Sequence, residues 1–169
     1  MKKLLITSCL VFVGMAGPAA AQQASRPILT DNMNSLTMNS RNMNRVPIRV
    51  MRDFLKRDQS AKEADWTEVE TGFVVKYMDK KNSHCRTVYN QRGVYVYTIK
   101  QYGENNLPRD VRDVVKRQYY DYSITLVEEV HQPLKPVAYI VHLEDDHSFK
   151  HVQVSDGEME VTQEYRKTL

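Results

Sequence analysis

The chain has 169 residues, of which 41% are hydrophobic and 27% charged, with 24 basic against 21 acidic side chains. That is one domain's worth of sequence at roughly 100–200 residues per domain, with apolar content sufficient for a core. The composition excludes a collagen-like, membrane-filling or wholly disordered chain, and the near balance of charge leaves no electrostatic footprint for nucleic acid.

Residues 1–21 read as a secretory leader. Lys2 and Lys3 supply the positive start and Leu4 to Ala16 the apolar run. The breakers Gly17 and Pro18 and the small-x-small site Ala19-Ala20-Ala21 follow, which predicts cleavage after Ala21 and export to the periplasm. The apolar run is shorter than the ~20 residues a spanning helix needs, so no stable membrane insertion is expected. Cleavage removes two lysines and Cys9, which brings the chain close to neutral and leaves Cys85 without an internal partner. Stability must then come from burial rather than from a disulfide. Cys85 is read either as a buried small hydrophobe or as a thiol that pairs with another molecule.

Residues 22–45 are rich in Asn, Ser, Met and Gln and read as a flexible tether. Met33, Met38 and Met43 recur in them, each followed by Asn. Thioethers suit cuprous ions, but this spacing matches neither one helix face nor one strand face.

From Val46 the sequence becomes patterned, and does so twice, in a first unit over 46–105 and a second over 106–169. Val46-Pro47 and Leu107-Pro108 each place Pro at a helix start. Val46, Val50, Met51, Phe54 and Leu55 then recur at helical spacing, as do Leu107, Val111, Val114, Val115, Tyr119 and Tyr122. Arg49, Arg52, Lys56 and Arg57 lie on the wet face of the first helix, and Arg109, Arg112, Lys116 and Arg117 on that of the second. Interleaved Asp53, Asp110 and Asp113 mark both as solvated faces.

Strands are predicted over 66–71, 73–78, 84–89 and 94–101 after the first helix. After the second they are predicted over 124–131, 138–143, 148–154 and 158–164. The last hairpin of each unit turns at Gly93 or Gly157, where glycine supplies a positive φ. Phe73-Val74-Val75-Lys76-Tyr77 aligns with Tyr139-Ile140-Val141-His142-Leu143. The fold class expected is α+β, a tandem repeat of a helix plus a four-stranded antiparallel sheet.

No pattern points to catalysis. There is no G-x-S-x-G, no phosphate-cradling glycine loop and no carboxylate pair that demands acid–base work, and His84 and Cys85 project to opposite faces of one strand. An enzyme and a bound cofactor are therefore not expected. His142, His147 and His151 match no zinc spacing, and Glu144-Asp145-Asp146 lacks the regular spacing and glycine of a calcium loop.

The export signal, the apolar-Pro helix starts, Trp66 at the first strand, the aromatic-x-Val-x-aromatic strand and the doubled unit together resemble a known family. It is the PepSY-like, β-lactamase-inhibitory-protein-like (BLIP-like) family of small exported bacterial proteins. The resemblance implies a tandem α-β4 architecture with an open sheet face, and action by binding another protein, in some cases as an inhibitor of a secreted enzyme.

If the helices cover one face, alternation sends Phe73, Val75, Tyr77, Tyr95, Tyr97, Ile99, Tyr139, Val141, Leu143, Val152, Val154, Met159 and Val161 inward. Trp66 becomes a buried anchor between helix and sheet. Thr98 falls on the open side, and Val74, Met78, Val94, Val96, Ile140, His142, Phe149 and His151 form the expected partner-contact surface. The function expected is an exported periplasmic protein that binds or regulates another protein. The alternative is a small-ligand or metal-ion sensor for calcium, zinc or copper, using the histidine-bearing face or the acidic tip.

Overall fold

The computed structural model describes residues 43–168. The leader, its cleavage after Ala21 and residues 22–42 of the tether lie outside the described residues. The last three residues of the expected tether, Met43–Arg45, form a single 3-10 turn.

The two helices are set by the same local chemistry. In α1, Ile48–Arg57, Pro47 occupies the N-cap, one position before the helical start expected for it. There its missing N–H costs no helical bond. Val50, Phe54 and Leu55 are buried along one face, and Asp53 accepts from Arg57 at 2.7 Å on the wet side. Exposed as it is, that pair contributes little stability. In α2, Arg109–Gln118, Pro108 occupies the same position and Val111 and Val115 are buried. Tyr119 and Tyr122, expected on the helical stripe, lie past its end. Tyr119 caps the helix by donating its N–H to the Val115 carbonyl, and its ring meets that of Tyr122 edge-on at 5.4 Å. The Lys116 ammonium donates to the Tyr122 carbonyl, which turns the chain there instead of letting the helix run on.

The strands are β1 Lys62–Val69, β2 Gly72–Met78, β3 His84–Asn90, β4 Tyr95–Tyr102, β5 Ser123–His131, β6 Ala138–Glu144, β7 Ser148–Ser155 and β8 Glu158–Arg166. They form one eight-stranded antiparallel sheet in chain order. The two sets of four are joined edge to edge, with Thr98 to Tyr102 of β4 opposite His131 to Val127 of β5. Gly93 and Gly157 adopt φ of 75° and 79° at the two hairpin turns.

All fully buried side chains of the strands project to one side. In the first half Val50, Phe54 and Leu55 of α1 pack with Trp66, Phe73, Val75, Tyr77 and Tyr89. In the second half Val111 and Val115 pack with Val127, Val141, Leu143, Val152 and Val154. Trp66 is the expected anchor, edge-on to Phe54 at 5.3 Å. Each such side chain, fully withdrawn from water, contributes about 1.5–3 kcal/mol.

The inward assignment fails in part of β4. Tyr89 stands opposite Tyr95 but Val88 opposite Tyr97, so Val96 is an extra, bulged residue. Beyond it the alternation is shifted by one. Tyr97 and Ile99, expected inward, face the open side, and Thr98, expected outward, is 5% exposed and bonds to Thr87 at 2.7 Å. Val161 shares the side of Val152 as expected but stays 47% exposed, because β8 is an edge strand.

Candidate functional site

The register assembles the open face row by row, since side chains opposite one another across antiparallel strands share a side. One row runs Thr67, Val74, Val88 and Tyr97. The next runs Asp65, Lys76, Arg86, Ile99, Val130 and Ala138. A third runs Met78, His84, Gln101, Glu128, Ile140 and Gln153. His142 and His151 stand opposite each other in a fourth, and Phe149 opposite Glu144 in a fifth.

Six of the eight expected contact residues thus share this face, but not as one patch. Ile140, His142, His151 and Phe149 lie together on β6 and β7. Val74 and Met78 are separated by Lys76 on β2, four strands away from Ile140. Val94 belongs to the turn before β4, where its N–H bonds to the Asn90 carboxamide at 3.0 Å, and Val96 is the bulged residue. Sequence alternation missed Val88, Tyr97 and Ile99, which join Val74 in the apolar part of the face.

Between the apolar groups lies a hollow of about 620 Å³, whose lining includes Asp65, Lys76, Arg86, Ile99, Gln101 and Glu128. Lys76 and Arg86 are directly opposite each other and both exposed, and among the described residues neither forms an ion pair or side-chain hydrogen bond. Like charges so placed destabilise a sheet. On the far wall Gln101 donates to Glu128 at 2.7 Å.

The His142 and His151 rings are 4.0 Å apart, and His142 Nε2 is 3.8 Å from Glu128, too far for a hydrogen bond. Burial first, and then the charge on His151, push the pKa of His142 down, with Glu128 opposing. The unfolded chain therefore takes up this proton at a higher pH than the folded one. The contribution of His142 to stability is complete above about pH 6.5 and is lost as the pH drops through the depressed folded value. The urea midpoint of the protein should fall from about pH 7 to pH 5 more steeply than that of a His142→Gln variant. Equal slopes would remove His142 from the acid response.

The other candidate groups are committed to structure. Cys85 is 4% exposed, burial pushes its thiol up to about 12, and it donates to the Ser83 carbonyl at 3.5 Å. A thiol so held is no nucleophile at neutral pH. Asp145 at the acidic tip accepts from the His147 and Ser148 N–H groups at 2.8 and 2.5 Å. Against some desolvation, these bonds hold its carboxyl at about 2. Among the described residues no three His, Cys, Asp or Glu side chains converge as a metal ion requires, and no helix is long and apolar enough to cross a membrane.

An eight-stranded antiparallel sheet with two helices on one side defines an α+β protein with the BLIP-like fold. It is similar to a BLIP-like protein from Bacteroides fragilis, at a TM-score of 0.59 and 15% identity, over 72% of this chain and 86% of that one. A DUF2874 family protein from Bacteroides uniformis matches at 0.57 and 13% identity, covering 72% and 89%. A protein from Bacteroides eggerthii, described as a candidate periplasmic protein, matches at 0.56 and 13% identity, covering 72% and 88%. At these identities the likeness is one of fold. No family model matches the chain, and no curated protein does.

Proposed function

We propose that this is an exported periplasmic binding protein, not an enzyme, which docks another protein on the open face of its sheet and regulates it. The observation that carries the reading is the one-sided sheet. Its uncovered face combines Val74, Val88, Tyr97 and Ile99 with a hollow holding two unpaired cations. An apolar surface interrupted by unsatisfied charge is suited to a complementary protein surface. The likeness in fold to BLIP-like and candidate periplasmic proteins supports the same reading. We read the helix-plus-four-strands order over 46–105 and again over 106–169 as a duplicated unit, whose joining at β4 and β5 doubles the width of the docking face. Residues 1–21 would direct export, and the exported protein should have the mass of a chain beginning at Gln22.

The test places a photo-crosslinking residue at Ile99 on the open face or at Arg52 on the exposed side of α1, in the exported protein. Capture of a partner from Ile99 and not from Arg52 is expected. A Lys76→Gln/Arg86→Gln variant should lose that capture while its stability changes by no more than about 0.5 kcal/mol, because removing the Lys76–Arg86 repulsion is offset by removing the charge opposite Asp65. Equal capture from both positions would overturn the assignment of the face.

A further inference from the structure

Between the two apolar clusters the helix side of the sheet is polar. Thr98 stands opposite Thr87 and His131, and Lys100 opposite Cys85 and Glu129, so all of these project to the side on which the helices lie. A cavity of about 320 Å³ opens there, lined by Arg57 and Asp58 from the end of α1, Tyr95, Thr98 and Lys100 of β4, and His131 of β5. Its walls come from both halves of the chain, and cavities at such junctions are the usual places for small ligands.

Most polar groups of this seam are already bonded. Thr98 and Thr87 share a hydrogen bond of 2.7 Å, and the Tyr95 hydroxyl donates to the His131 carbonyl at 3.0 Å. Glu129 uses one oxygen on the Tyr102 hydroxyl and the other on His131 Nε2, each at 2.5 Å. Arg57 gives Nε and one Nη to Asp53, and its guanidinium carbon sits over the Tyr95 ring, 4.0 Å from its centroid. Asp58 accepts the Tyr77 hydroxyl on Oδ2 at 2.6 Å.

Three groups stay open. Among the described residues the Lys100 ammonium has no ion pair or side-chain hydrogen bond, the second Nη of Arg57 has no partner, and neither has Oδ1 of Asp58. Both oxygens of Glu129, which stands directly opposite Lys100 across β4 and β5, are taken. Two cationic donors and one carboxylate acceptor facing one cavity complement a molecule with the opposite pair. We propose that the seam cavity binds a small hydroxylated carboxylate, such as a sugar acid or hydroxy acid. Its carboxylate meets Lys100 and Arg57, and a hydroxyl donates to Asp58. The site lies on the opposite side of the sheet from the docking hollow and does not rest on the protein-binding reading. A ligand held there touches both halves and stiffens the β4–β5 junction.

D-Glucuronate is the probe, with D-glucose as the analogue lacking the carboxylate and acetate as the one lacking hydroxyls. Calorimetry and thermal melts of the exported protein should show binding and a raised Tm with glucuronate only. Lys100→Gln, a half-exposed position outside both apolar clusters, should keep the unliganded Tm and weaken glucuronate about tenfold or more, the loss of one charged hydrogen bond. No heat and no Tm shift with about 10 mM glucuronate, a concentration that would reveal even millimolar binding, would overturn the proposal. So would an equal response to glucose or acetate, or undiminished binding by Lys100→Gln.

Discussion

Phe54→Ala is expected to cost about 3–5 kcal/mol, a large part of the stability of an ordinary domain. Phe54 is 2% exposed and, with Val50 and Leu55, carries the packing of α1 on the sheet. Its ring meets Trp66 edge-on at 5.3 Å and Tyr77 at 5.0 Å. Truncation therefore removes two favourable aromatic contacts and leaves a cavity that neither neighbour can fill without leaving its strand. The loss should also be local. The apolar cluster around Phe54 shares no residue with the one around Val115 and Leu143. Between them lies the polar seam of Thr98, Lys100, Glu129 and His131. Hydrogen exchange on Phe54→Ala should show protection lost in β1 to β3 and largely kept in β6 and β7. Leu143→Ala, at a side chain 1% exposed, should give the converse pattern at about 2–5 kcal/mol. Uniform loss of protection in both variants would show that the halves unfold as one cooperative unit.

The elements were legible because each is punctuated. Proline opens both helices, glycine closes the last hairpin of each half, and the strands alternate cleanly enough for every one to be found within a few residues of its limits. What could not be read was the side to which β4 points. A bulge adds one residue without any change in composition, and nothing in Tyr95-Val96-Tyr97-Thr98-Ile99 marks where the alternation breaks. The signal that could have exposed it is Thr87. The buried Thr87 hydroxyl meets Tyr77 at 3.3 Å from β2 and Thr98 at 2.7 Å from β4, and only the shifted register brings Thr98 opposite it. The same shift moves Tyr97 and Ile99 onto the open face, so the reversed facing of β4 and the wider apolar row have one cause. The hollow was invisible for a different reason. Lys76 and Arg86 read as ordinary wet-face residues in their own strands, and only the pairing of β2 with β3 sets the two charges against each other. The seam is a third case, because its cavity is lined by residues far apart in the chain.

Gly72→Ala should be the most damaging change of a single methyl group. Gly72 opens β2 with a φ of 145°, a conformation that a side chain rarely adopts. Space forbids a side chain as well. A Cβ built there would lie 2.0 Å from the Tyr89 carbonyl oxygen and 2.5 Å from the Asn90 carbonyl carbon, both backbone atoms of the neighbouring strand. No rotamer relieves such a clash, so β2 and β3 must separate at this end, where Gly72 pairs with Asn90. With backbone strain and lost strand pairing combined, the expected cost is more than about 3 kcal/mol. Gly157→Ala supplies the scale. It too has a positive φ, 79°, but a Cβ there meets nothing within 4 Å. Only the conformational penalty of about 1–2 kcal/mol should remain. Urea midpoints of the two variants separate the effects, and equal losses would show that the β3 backbone yields to the methyl group. The consequence reaches the open face of the sheet. The pairing that starts at Gly72 holds Val74 against Val88 and Lys76 against Arg86, so a β2 that slips there disperses the apolar row and the charge pair together.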